Sequence, residues 1–363
     1  FQFKNELTLF SEVHHETIFG CHIYQGKKEI PNFISIHNLF NPSTIDGCFV
    51  HDGKGVSGGF KIKDEQLSKM IWNTHPHKDR IIRITESELK IFAKTFENTE
   101  KWDDVKLVSV HTTQILNVLR KLSLFEGKVE DHDYFITDGW RETDAINDGS
   151  IERKTKWANI EEYELIIGGP HFFVSNPIYK TPYELSTLNS DYDVIDLNLI
   201  DDAFVQRTNF LPVLKQVDFR SRFVWSEKDK IWVDQYKLCF SKMLSVSGER
   251  TLQPAMMSPN VSHSSAVISL LLDDKKSLIE LTSLCSSIVL DFYIKTLGRG
   301  NFYESSIKML LIGIDKKYKS QLFSRTLQLN CLNKYYAPLW EESWQADFKA
   351  DNWSKQDTRL KPF

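Results

Sequence analysis

The sequence predicts an α+β fold, a mixture of strands and helices with a helical C-terminal tail. Three observations carry that expectation. Short apolar runs bounded by turn residues fill the first hundred positions and recur between 164 and 199. Segments with apolar residues three and four apart interrupt them irregularly, so strands do not alternate with helices as a doubly wound sheet requires. The stretch 316–344 keeps helical spacing and is rich in aromatic residues.

In chain order, 20–24 and 33–39 read as strands, with turns at Asn41-Pro42-Ser43 and Asp52-Gly53. A helix is expected over 85–96, because Thr85 can cap it, Glu88 completes a capping box, and Leu89, Phe92, Ala93 and Phe96 share a face. A second is expected over 112–124, with Ile115, Leu116, Val118, Leu119 and Leu122 as its stripe. The polar stretch 144–162 reads as a surface excursion or domain boundary. Beyond it, 164–174 is strand-rich but broken by Gly168-Gly169-Pro170, and 192–199 alternates around Val194, Ile195 and Leu197. An amphipathic helix is expected over 229–244 from the spacing of Trp232, Val233, Tyr236, Phe240 and Met243. A longer one over 277–297 would stop at Gly298. Trp340, Trp344 and Trp353 are expected to dock the tail.

Composition narrows the function. The longest candidate span, 266–272 with Ser269 inside it, falls far short of the roughly 20 residues of a membrane span. Lys4 and Glu6 interrupt any cleavable leader. Phe1 in place of Met, and an end at Lys361-Pro362-Phe363, are expected of a segment of something longer. The five cysteines are odd in number and widely spaced, which suits buried thiols in a reducing cytoplasm. The net charge is −4, yet 203–250 carries nine basic against five acidic residues.

Two short patterns suggest catalysis. Gly53, Gly55 and Gly58 form a GxGxxG, which binds a cofactor only where a strand turns into a helix. Here Phe49-Val50 reads as a thin strand and Phe60-Lys61-Ile62-Lys63 as another, so a glycine-rich loop or hairpin is expected. The other is Asn176-Pro177-Ile178-Tyr179, one residue away from the Asn-Pro-Pro-aromatic motif with which amino-group DNA methyltransferases hold a flipped base. His75 and His77 have no convincing third metal ligand, and His14-His15 stands alone.

Several blocks resemble large class I adenine-specific DNA methylases, including fused restriction-methylation enzymes. They are Ile-Gly-Gly-Pro-His-Phe-Phe-Val-Ser-Asn-Pro-Ile-Tyr-Lys-Thr-Pro at 167–182, Tyr-Asp-Val-Ile-Asp-Leu at 192–197, Gln-Arg-Thr-Asn-Phe-Leu-Pro at 206–212 and Met-Leu-Ser-Val-Ser-Gly-Glu-Arg-Thr-Leu at 243–252. Shorter ones follow at 258–263, 286–292 and 327–332, and 41–46 and 51–53 extend the likeness towards the start. The resemblance is to the C-terminal target-recognition region, which grips the duplex while an upstream Rossmann-like domain binds S-adenosylmethionine and transfers the methyl group. The chain is expected to divide into an N-terminal α/β segment of uncertain role over 1–160, a target-recognition domain over 161–315 and a helical tail over 316–363, and the resemblance implies that no cofactor is held by this segment. The expected partners are double-stranded DNA and the catalytic domain of the same parent chain.

Lys180, Arg207, Thr208, Asn209, Arg220, Arg222, Arg250 and Thr251 are the expected DNA contacts, since Arg and Lys hold phosphates while Arg, Asn and Thr read base edges. Arg207, Thr208 and Asn209 would sit on a presenting loop, and Arg220 and Arg222 on one side of an extended run. Two alternatives stand beside this. In one, the chain is itself a methyltransferase acting through Asn176, Pro177 and Tyr179, with Gly53, Gly55 and Gly58 at the cofactor. In the other, it is an interaction scaffold in a phage-defence complex.

Overall fold

The computed structural model describes residues 1–26, 30–188, 190–245 and 248–352. Helices and small, mostly antiparallel pairs of strands are mixed along the chain, an α+β arrangement. It divides into two compact units, Phe1–Glu126 with Thr296–Gly298, and Gly127–Lys295 with the chain from Arg299 onward. The division thus falls well before the boundary expected near 160. The stretch 144–162 is no excursion: it holds most of the helix Glu142–Asn147 and the seven-residue strand Ile151–Trp157, which a distant partner, Arg207–Pro212, ties into the second unit.

In the first unit, Gln2–Lys4 pairs with Ile18–Gly20, and Asn32–Ser35 with Ile82–Thr85. The strand expected at 20–24 ends at Gly20 instead. Helix Glu86–Phe96 begins as its capping box requires, with Glu88 Oε2 accepting from the Thr85 N–H at 3.1 Å. Helix Thr113–Leu122 packs beside it on Leu116 and Leu119, while Val118 of the expected stripe faces outward. Phe49-Val50 is the end of helix Ser43–Val50, not a strand. Ile36, Leu39 and Cys48 form a core with Phe1, Phe3, Ile45 and Ile81.

A four-stranded antiparallel sheet centres the second unit, ordered Pro254–Met257, Lys237–Ser241, Val267–Leu272, Tyr134–Thr137. Val267–Leu272 is buried at every position, so its sequence is apolar without alternation except at Ser269, whose buried hydroxyl is hydrogen-bonded to Trp232 and His263. Helices Lys275–Ser286 and Lys316–Asn330 pack on the sheet and on each other. The helix expected over 229–244 does not form. That segment is the short strand Lys230–Ile231, one 3₁₀ turn at Trp232–Asp234 and the inner strand Lys237–Ser241. An inner strand covered on both faces buries successive residues, here Leu238, Cys239 and Phe240, and such a run does not show the alternation that separates a strand from a helix. The expected helix at 277–297 is two helices, Lys275–Ser286 and Ile288–Thr296, bent by 72°. Ser287 is extended, and its hydroxyl accepts from the Leu290 N–H at 3.3 Å.

The expected tail packs within the same unit. It breaks after Asn330, then continues as a turn at Lys334–Tyr336 and helix Ala337–Ser343. Its docking rests on Asn330, whose Oδ1 accepts from the Met256 N–H at 2.9 Å, and on Tyr336, whose hydroxyl donates to the Met256 carbonyl at 2.9 Å. Trp340 is half-buried against Phe348, and Trp344 stays 44% exposed. Trp353 of that expectation, and Val246 and Ser247 of the 243–252 block, lie outside the described residues. Among the described residues no single helix is long and apolar enough to cross a membrane.

Candidate nucleic-acid interface

The block 167–182 folds around two neighbours, His171 and Gln206. After the short strand Ile166–Ile167, which lies parallel to Ser262–His263, the chain turns at Gly169–His171. His171 Nδ1 accepts from the Gly168 N–H at 3.0 Å, which leaves the ring proton on Nε2, 3.0 Å from the Arg207 carbonyl. Burial pushes its pKa down to about 4, so the ring stays neutral. The Gln206 amide faces the carbonyls of His171, Lys180 and Pro177 at 2.8, 3.0 and 3.3 Å. These bonds fasten the hairpin Lys180–Pro182/Tyr192–Val194 onto strand Arg207–Pro212. The expected strand at 192–199 is only Tyr192–Val194.

This places Lys180 and Arg207 together, because Thr181 lies between them and its hydroxyl accepts from the Arg207 N–H at 2.9 Å. The Arg207 guanidinium lies 4.1 Å from the centroid of the half-exposed Trp157 ring and donates to the Pro182 carbonyl at 3.3 Å. Lys180 Nζ is 5.2 Å from the Tyr179 centroid. From the paired strand, Arg153 reaches the Thr187 carbonyl at 3.4 Å. Among the described residues, none of these three cations is within ion-pair distance of a carboxylate. Cations held by rings and carbonyls keep their charge available to an anion.

The other expected contacts are spent inside the fold. Thr208 is fully buried in the strand, its hydroxyl bonding the Ile166 carbonyl at 2.8 Å, so the expected presenting loop is a strand. Asn209 sits at a bulge in that strand, accepting from Thr155 Oγ1 at 2.9 Å and donating to Tyr192 Oη at 3.3 Å. Burial raises the Tyr192 pKa to about 12. The run 219–223 is not extended, since Gln216–Ser221 is a helix that buries Phe219. Arg220 pairs with Asp234, and Arg222 with Asp148 at 3.1 Å. Arg250 donates to the Ser286 carbonyl at 3.0 Å and lies 3.4 Å from Asp291. The buried Thr251 offers its N–H to Asp291 at 2.7 Å and its hydroxyl to the Ser245 carbonyl at 2.9 Å. Most other basic residues of 203–250 are engaged in the same way: Lys228 and Lys230 meet Asp273, Lys242 meets Asp138, and Lys237 is wholly buried, while Lys215 is exposed. Arg153 and Trp157 were not anticipated. The signal was the Arg-Lys-Thr-Lys-Trp run at 153–157, whose alternation suits a strand edge.

The two catalytic patterns take structural roles. Asn176 Oδ1 accepts from the Ile178 N–H at 3.0 Å, the Pro177 carbonyl faces Gln206, and the Tyr179 ring packs 5.4 Å from Phe173. Gly53, Gly55 and Gly58 all have positive φ in a loop that leaves a helix and enters the hairpin Lys61–Asp64/Lys69–Trp72, the reverse of a strand-to-helix phosphate turn. His77 Nδ1 accepts from the Asp79 N–H, and no cluster of metal-ligating side chains occurs among the described residues.

An α+β chain with a cationic, aromatic strand edge is what fold and site together define. No protein-family model matches the chain, and no curated protein matches it either.

Proposed function

We propose that this chain recognises duplex DNA and is the non-catalytic, target-recognition part of an adenine-specific DNA methyltransferase of the restriction-modification or phage-defence kind. The observation that carries the reading is the edge formed by Arg153, Lys180 and Arg207, three cations without carboxylate partners, two of them within cation–π distance of the Tyr179 and Trp157 rings. A two-stranded antiparallel ribbon is narrow enough for the major groove of B-DNA, where cations hold phosphates and arginine can pair with guanine. The engagement of Asn176 and Pro177 with their own backbone neighbours supports leaving methyl transfer, and S-adenosylmethionine, to a separate catalytic domain. Cys48, Cys239 and Cys285 are buried as expected, whereas Cys21 is exposed and Cys331 half-buried; free thiols of this kind suit a reducing cytoplasm.

A gel-shift titration with a pool of duplexes, paired with calorimetry against S-adenosylmethionine, tests the reading. Duplex binding that weakens on Arg153→Gln and Arg207→Gln, with no heat from the cofactor, is the expected result. Cofactor binding without duplex binding would assign the chain to catalysis instead.

A further inference from the structure

Beside the cationic edge lies a segment of opposite character. Residues 183–202 contain six Asp or Glu and no Lys, Arg or His. The described part is ordered by its own acids: Asp191 accepts from the Thr187 and Leu188 N–H groups at 2.9 and 2.8 Å, and Asp196 from the Asn198 N–H at 2.9 Å. Apolar side chains nevertheless point outward from it. Leu185 is 88% exposed and Leu199 83%, and Leu188, Val194 and Leu197 are exposed as well. Glu184 and Asp193 are exposed between them. A pre-formed surface that keeps apolar groups in water marks an interaction site, and its charge selects a cationic partner.

We infer that this acidic, apolar segment docks on the cationic edge of a second copy of the same chain. The edge supplies the complementary chemistry, because Arg153 touches the segment through the Thr187 carbonyl and Lys180 lies on the strand that leads into it. Acidic and basic halves side by side make one self-complementary patch, the requirement of a two-fold contact in which each half meets the other half of its partner. Duplex DNA and the second copy would then compete for Arg153 and Lys180. Self-association itself does not depend on the DNA reading.

Sedimentation equilibrium of the full chain, at about 50 mM and about 500 mM salt, tests the inference without any nucleic acid. A dimer is expected at low salt, weakened about tenfold or more at high salt. The double reversal Glu184→Lys/Asp193→Lys should leave a folded monomer, as should Arg153→Glu/Lys180→Glu, and mixing the two variants should restore a one-to-one pair. Leu185→Ser/Leu199→Ser should weaken the dimer while retaining its salt dependence. A wild-type monomer throughout, a dimer indifferent to these reversals, or variants that fail to pair on mixing would each overturn the inference.

Discussion

Arg207-Thr208 and Arg250-Thr251 are the same dipeptide, yet one arginine lies over an aromatic ring and the other beside a carboxylate. Nothing local separates them: Asp291, which receives the Thr251 N–H, lies forty residues downstream. The sequence therefore yielded the residue types of the site but not which of them remain available. The two arginines should respond oppositely to truncation. Arg207→Ala should weaken duplex binding with little change in folding. Arg250→Ala should leave Asp291 buried without its guanidinium and lower stability by about 2–3 kcal/mol, read from urea midpoints. Lys237 is a second residue-scale case. Its amine donates to the Val261 carbonyl at 2.9 Å and lies 3.4 Å from those of Val233 and Ser258, while burial lowers its pKa to about 8. Lys237→Met fills similar space but leaves carbonyls unsatisfied, so a loss of about 1–3 kcal/mol is expected by thermal or urea unfolding.

Among the elements, those whose ends are written in side chains were the legible ones. Thr85 and Glu88 announce a helix start, and Glu86–Phe96 forms there with its Leu89, Phe92 and Ala93 face buried. The inner strand Lys237–Ser241 was misread as helix because burial on both faces removes the alternation that identifies a strand. Strand Ile151–Trp157 was missed because its polar residues hid the pairing that Arg207–Pro212 supplies from a distance. The hairpin that presents Lys180 hangs on Gln206, whose role no local pattern reveals. Replacing Gln206 by Ala should cost about 1–2 kcal/mol. It should also speed amide exchange at Tyr179, whose N–H donates to the His171 carbonyl at 2.9 Å. Unchanged exchange at Tyr179 would mean that the hairpin is held by other contacts.

Both units of the molecule carry buried neutral histidines. His37 and His111 belong to the first and His171 and His263 to the second, with pKa values lowered by burial to about 4, 3, 4 and 3. Each would titrate near 6.5 once unfolded. Between those values the unfolded chain binds more protons, so stability is fully present above about pH 6.5 and declines as pH falls towards 4. Each such histidine adds about 1.4 kcal/mol per pH unit to the slope there. Urea midpoints at pH 7.5 and pH 5 should differ clearly, and equal midpoints would contradict neutral burial. The mixed α+β class was legible at this scale from composition and punctuation, whereas the division at Glu126 was not, because long-range pairing decides it.

The most direct test of duplex recognition is fluorescence anisotropy of a labelled duplex titrated with the full chain across a range of salt. Three phosphate contacts predict a slope of log K against log salt of about −2.7, made shallower by about 0.9 in Arg153→Gln. Absence of binding at low salt, or a slope that Arg153→Gln, Lys180→Gln and Arg207→Gln all leave unchanged, would contradict the account.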